Sequence, residues 1–225
     1  MNIMEAINTR HSVRKYSDKP IENEKLNILN SLIAECNKDG GLNIQLITNE
    51  NKGFGGMMAK MCGFGGVKNY IAVVGKDDAA TAQKLGYYGE KIVLQAQTLG
   101  LNTCWAAGAF KKVKNVFTVG EGEKAACGIA VGYGAEQGKP HKCKDIKEVA
   151  EGENLPDWFI NGINAALLAP TGMNMQNFKF TLVDAEGKKG VRAQTTGGMC
   201  GDLNTGIAMY HFEVAAGKEN FNWIK

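Results

Sequence analysis

Arginine is scarce in this chain of 225 residues: Arg10, Arg14 and Arg192 are the only three among 26 basic residues. Histidine is equally rare. His11, His141 and His211 are all there are, and none has a nucleophile or carboxylate at a spacing that would assemble a hydrolytic triad. The six cysteines contain no C-x-x-C pair, which removes the zinc-ribbon and dithiol-redox readings and leaves free thiols. His141 and Cys143 stand too isolated for a metal site, and no metal is expected. No apolar run is long enough to cross a bilayer, and the opening Met-Asn-Ile-Met-Glu lacks the basic-then-apolar pattern of a secretory signal. A cytoplasmic chain with no membrane partner is the expectation. The formal charge of +3 is weak and scattered, which argues against nucleic acid as the main partner.

What is present starts with where the arginines fall. Arg10 and Arg14 share one five-residue stretch, and arginine's rigid two-pronged donor geometry suits phosphate and carboxylate. Before that stretch, Ile3, Met4 and Ile7 fall at helical spacing, and the periodicity stops at Arg10. A second helix follows Pro20, with Leu26, Leu29, Ile33 and Cys36 inward and a stop at Asp39-Gly40-Gly41. Leu42, Ile44 and Leu46 alternate as a strand. The glycine- and methionine-rich segment 53–66 reads as a loop or short helix. Tyr70 to Val74 is a continuous apolar strand, and Asp77 or Asp78 then caps a long helix closed by Gly100. Leu101–Trp105 and Gly128–Val131 read as buried strands, and 132–153 as a polar crossing segment. A helix past Pro156, a strand at Phe178, Phe180 and Leu182, and a helix over Leu203–Ala216 complete the pattern. Helix, strand, loop, helix thus occurs at 24–99 and again at 157–216, an order that also arises by ordinary alternation in mixed domains.

Three segments have the chemistry of a ligand site, and each has a plainer reading. Arg10-His11-Ser12-Val13-Arg14 is dense in donors for a phosphate, or is a solvated basic turn. Ala169-Pro170-Thr171-Gly172-Met173-Asn174-Met175-Gln176 pairs small residues with amides able to read the edge of a planar ring, or is a turn with capping amides. Gly100-Leu101-Asn102-Thr103-Cys104-Trp105-Ala106-Ala107-Gly108 leads a strand into a small-residue turn with free N–H groups, or is ordinary strand-turn chemistry. No G-x-G-x-x-G at dinucleotide spacing and no P-loop competes for a phosphate.

Together with Gly-Ile-Ala-Val-Gly-Tyr-Gly at 128–134 and Pro-His-Lys-Cys-Lys at 140–144, these segments resemble the FMN-dependent nitroreductase family over most of the chain. The resemblance implies an α+β fold: a nitroreductase-like three-layer α/β/α arrangement with a mixed, largely antiparallel sheet. It implies non-covalent FMN, with Arg10, His11, Ser12, Arg14, Lys142 and Lys144 at the phosphate and ring edge. The turn Ala106, Ala107 and Gly108 would offer backbone donors near the flavin N5.

One departure shapes the rest. In the family, the Ala-Pro-Ser-x-x-Asn-x-Gln segment soon follows the first motif and reaches into the partner subunit's flavin site. Here residues 34–45 contain nothing similar, and the counterpart lies at 169–176, which assigns Thr171, Asn174 and Gln176 to the cofactor. The expectation is one nitroreductase-like domain over 1–225, with repeat halves of about 1–152 and 153–225 forming an internal pseudo-dimer around one flavin. A monomer is favoured and a homodimer stays open. The implied reaction is ping-pong hydride transfer from NADH or NADPH to a nitroaromatic or quinone-like acceptor, with no obligatory acid–base side chain. The alternative is an FMN-binding sensor or carrier without turnover.

Overall fold

The structure, a computed structural model, describes residues 1–185 and 188–224. The chain opens with α1 (Ile3–Thr9), started by a capping box in which Asn2 and Glu5 satisfy each other's backbone N–H. The next helix, α2 (Asn23–Gly40), ends where Gly41 turns left-handed at φ 65°. The Asn37 side chain then bonds both the N–H and the carbonyl of Ile44, tying the helix end to β1 (Gln45–Ile47). The 53–66 segment holds the five-residue α3 (Met57–Met61).

β2 (Tyr70–Lys76) is buried from Tyr70 to Gly75, as its unbroken apolar run requires of a strand covered on both faces. α4 (Ala79–Thr98) follows, capped by Asp78, whose carboxylate accepts from the Thr81 N–H and hydroxyl at 2.8 Å each. The Thr81 backbone N–H is the main reason this carboxyl sits below the usual carboxylate range. A lowered native value gives stability that is present above the unfolded carboxylate pKa and lost as pH falls through the native one. Asp78→Ala is therefore expected to lower the melting temperature near pH 7, with the gap narrowing as the pH is taken below the unfolded carboxylate value of about 3.9; a gap that does not change with pH would refute the cap.

β3 (Asn102–Ala106) and β4 (Glu123–Gly132) complete an antiparallel sheet in the order β1-β2-β4-β3. The polar crossing segment then carries α5 (Ile146–Val149) and β5 (Ala150–Glu151) over to a second sheet. There β5 pairs in parallel with β6 (Phe178–Ala185), after α6 (Asp157–Leu167). β7 (Lys188–Thr195), α7 (Gly201–Ala216) and β8 (Phe221–Ile224) finish the order β5-β6-β7-β8.

The α+β class holds, with one change of plan. The strands divide over two four-stranded sheets, one antiparallel and one mixed, rather than forming a single mixed sheet between helical layers. α4 packs on β2 and β3, α7 packs on β6 and β7, and the two helices pack on each other. One large core joins residues of both sheets and both helices. β7 and β8 are not legible in the sequence. β7 reads Lys-Lys-Gly-Val-Arg-Ala-Gln-Thr, whose apolar content is slight: over 189–195, where burial is described, Gly190 and Val191 are the buried positions. No described helix is long and apolar enough to cross a membrane.

Candidate active site between the two halves

The basic cluster is placed by strand geometry. Arg10 is the C-cap of α1 at φ −68°, ψ 127°, so the chain leaves the helix extended. Ser12 then bridges in parallel to Thr103 of β3, and the Val13 N–H donates to the Thr103 carbonyl at 3.0 Å. Side chains along this stretch diverge. Arg14 is exposed and faces a cavity, whereas Arg10 turns inward and is 4% exposed. His11 and Ser12 are half-buried against Gly138, where a Cβ would lie 2.9 Å from His11 Cβ and from the Ser12 carbonyl oxygen. Ser12 also bonds the buried Cys104 thiol, which burial pushes up and Arg14 and Ser12 pull down.

The cavity lies between the halves. Arg14, Trp105, Ala106, Ala107 and Cys127 line it from the first half, and the Pro170–Met173 turn with Cys200, Leu203, Asn204 and Ile207 from the second. The turn is fixed by amides. Buried Asn204 accepts from the Gly172 N–H at 3.0 Å and donates to Asn177 Oδ1 at 2.8 Å, while Thr171 Oγ1 accepts from the Gln176 N–H at 3.0 Å. Within it Met173, Asn174 and Gln176 have φ of 52°, 55° and 44°. Left-handed backbone at residues other than Gly or Asn costs about 1–2 kcal/mol each, so this network holds a strained conformation at the cavity edge. The two cavity thiols, Cys127 and Cys200, are free, and burial pushes both up. They are neutral walls rather than nucleophiles near neutral pH.

The remaining expected site residues do not line this cavity. Gly108 is exposed beyond β3, with nothing within 4 Å of where a Cβ would stand. Lys142, Lys144, Asn174 and Gln176 gather on the other side of the 170–176 turn. There the amides are used to fasten the crossing segment: Asn174 and Gln176 both donate to the Lys142 carbonyl at 2.8 Å, and Gln176 Oε1 accepts from the Lys144 N–H at 2.9 Å. Lys144 Nζ closes the staple on the Gln176 carbonyl at 3.1 Å. His141 Nε2 and the Cys143 thiol both meet the Leu167 carbonyl, and no group of three or more metal-ligating side chains occurs among the described residues.

A buried polar group escaped the sequence reading. Glu90 of α4 is fully buried and accepts from Trp105 Nε1 at 2.7 Å. Its other oxygen meets His211 Nε2 of α7 at 2.8 Å. Arg10 Nε stands 3.9 Å away without a hydrogen-bond partner, and burial holds the guanidinium below the ordinary arginine value while Glu90 opposes that shift. The signal available was a charged residue inside an apolar stripe: Glu90 falls between the buried Gly89 and Ile92. Asn204 was missed for the same reason, a polar residue on the buried face of α7.

With this geometry in place, comparison with known proteins is informative. The profile of a family described as "Putative TM nitroreductase" matches residues 2–216. The fold is similar to that of a crystal structure from Thermotoga maritima MSB8 described as a nitroreductase, with TM-score 0.68, 21% identity, 97% of this chain and 85% of that one covered. It is also similar to a Desulfovibrio desulfuricans nitroreductase solved in complex with FMN, with TM-score 0.52, 16% identity, 66% of this chain and 94% of that one covered. An FMN-dependent nitroreductase from Clostridium difficile R20291 aligns at TM-score 0.50 and 20% identity, covering 65% of this chain and 96% of that one. No curated protein matches the chain.

Proposed function

The chain belongs to the nitroreductase family whose profile spans residues 2–216, and from that premise we propose that it is an FMN-dependent oxidoreductase with one flavin site closed by both halves of a single chain. The observation that carries this reading is a cavity walled by Arg14 and Ala106–Ala107 on one side and Pro170–Met173 on the other. It lies along the same strand that holds Ser12 beside Thr103.

The donor chemistry suits the cofactor. A phosphate requires several charge-assisted donors; in this reading Arg10, whose buried Nε has no partner, would supply the charge, and His11 and Ser12, half-buried beside Gly138, would add donors next to it in the chain. Arg14 at the rim would stand by the pyrimidine edge of the ring, where the reduced flavin holds negative charge. Ala106 and Ala107 would give backbone N–H groups to the ring, with Gly108 left outside the cavity, and Thr171 would close the opposite face. Lys142, Lys144, Asn174 and Gln176 act one layer out, holding the 170–176 turn against the crossing segment so that its strained backbone keeps its shape. Bound FMN supplies two-electron transfer between NADH or NADPH and a small electron-poor acceptor, a nitroaromatic or a quinone, taken in turn over one ring face.

The halves, about 1–152 and 153–225, would form the internal pseudo-dimer. In support, two nitroreductases align over nearly their whole length with only about two thirds of this chain. The first half also lends β5 to the second sheet. A monomer with one flavin follows. The test is optical: purified protein should show bound-flavin absorption, bleach with NADH or NADPH in the absence of air, and recover when a quinone is added. A colourless protein that takes up no FMN would end the reading, and a yellow one that stays oxidised would make it a carrier or sensor.

A further inference from the structure

The buried contacts of His211 carry a proton count that bears on the flavin reading. His211 Nδ1 lies 3.0 Å from the Ala165 carbonyl oxygen and Nε2 lies 2.8 Å from Glu90 Oε1. A backbone carbonyl only accepts, so Nδ1 carries a hydrogen. A neutral imidazole then has no second N–H, and Nε2 would meet the carboxylate lone pair against lone pair. A proton must therefore sit in the Nε2–Oε1 contact, on whichever partner it is counted. The His211–Glu90 pair is consequently neutral as a unit. Trp105 Nε1, which can only donate, occupies the other Glu90 oxygen at 2.7 Å. Arg10, 3.9 Å from Glu90 and without a partner at Nε, is left as the net positive charge of the buried trio.

A guanidinium whose side chain is 2% exposed is costly to bury unless something neutralises it. Glu90 would do so if its charge were free. We infer that His211 is a positioning residue for the anion site: by holding the proton that neutralises Glu90, it leaves Arg10's charge available to the phosphate of the bound flavin. The inference rests on the FMN reading above and adds to it a role for α7, which contributes this residue from the opposite half of the chain.

Riboflavin has the same ring as FMN and no phosphate, so the ratio of the two affinities isolates the anion site from any general damage to the ring pocket. Flavin-fluorescence titrations of the full chain would compare wild type with H211Q, E90Q and the double variant E90Q/H211Q. In H211Q the freed Glu90 carboxylate should pair with Arg10 and reduce the preference for FMN roughly tenfold or more, the scale of a hydrogen bond to a charged group. Riboflavin affinity should hardly move. The double variant removes both compensating charges and should recover the wild-type preference to within about threefold. E90Q, which keeps the side chain's shape, should retain or raise that preference, and it tests the same point if H211Q does not fold. An unmoved ratio in H211Q, no recovery in the double variant, or a lowered ratio in E90Q would each overturn the inference alone. Wild-type protein that binds neither flavin would overturn both it and the reading it rests on.

Discussion

Gly206→Ala should cost the protein about 2–3 kcal/mol of unfolding free energy, the usual scale of overpacking, even though alanine in a helix interior is favoured over glycine by about 1 kcal/mol. The sign is set by where the helices cross. A Cβ at Gly206 of α7 would fall on the Gln83 carbonyl oxygen and the Tyr87 nitrogen of α4. Reciprocally, a Cβ at Gly86 of α4 would fall on the Leu203 carbonyl oxygen and the Ile207 nitrogen of α7. The obstacles are backbone atoms, which cannot rotate aside as a flexible side chain would. The helices must part, and α7 then draws Leu203, Asn204 and Ile207 away from the cavity they line. Flavin retention should fall with stability. Gly56→Ala is the control, because a Cβ there meets nothing within 4 Å. Urea unfolding followed by circular dichroism measures both, and a Gly206→Ala protein as stable as wild type would show that the two helices do not touch as described.

Arg10→Met should move binding and stability in opposite directions. Removing a buried cation that contributes hydrogen bonds of about 1.5–3 kcal/mol each to a phosphate should weaken FMN binding by about a hundredfold or more. Without flavin the same change exchanges an unneutralised buried charge for an apolar side chain of similar length. With Glu90 already neutralised by His211, this change leaves no new unpaired charge behind, so the apoprotein should be at least as stable as wild type, since burying an uncompensated charge is costly. Calorimetric FMN titration and thermal melting of the apoprotein measure the two effects. Arg192→Ala, on β7 of the second sheet and outside the cavity lining, should leave FMN affinity within about twofold, less than one hydrogen bond is worth. An Arg10→Met protein that keeps FMN and loses stability would make Arg10 a structural residue only.

The parts of this molecule legible in the sequence are those whose cause lies within a few residues. The run of β2, the left-handed stop at Gly41, the Asp78 cap and the end of α1 before Arg10 each depend on local geometry. Periodicity or a single residue's conformational preference reports them directly. The crossing character of 132–153 was legible too, as a loss of apolar residues between two patterned regions. β7 and β8 were not, because one is mostly polar and the other short.

The candidate site divides along the same line. Sequence picked out the residues around Arg14, Ala106–Ala107 and Thr171, since donors and small residues cluster there in the chain. It assigned Asn174 and Gln176 to a ligand because an amide's partners cannot be read from its identity. Only the folded chain shows those amides fastening Lys142 and Lys144. Nor does sequence distinguish the inward Arg10 from the outward Arg14, two basic residues four positions apart.

By itself the sequence determined most of the helices and strands and the family resemblance, which follow from residue chemistry and short-range spacing. The tertiary structure decided the split into two sheets, the glycine-to-backbone crossing of α4 and α7, and the meeting of Glu90 with His211 from 121 positions away in the chain. Contacts of that kind depend on how closely two helices approach, which is fixed by packing across the whole core and leaves no periodic trace in either segment.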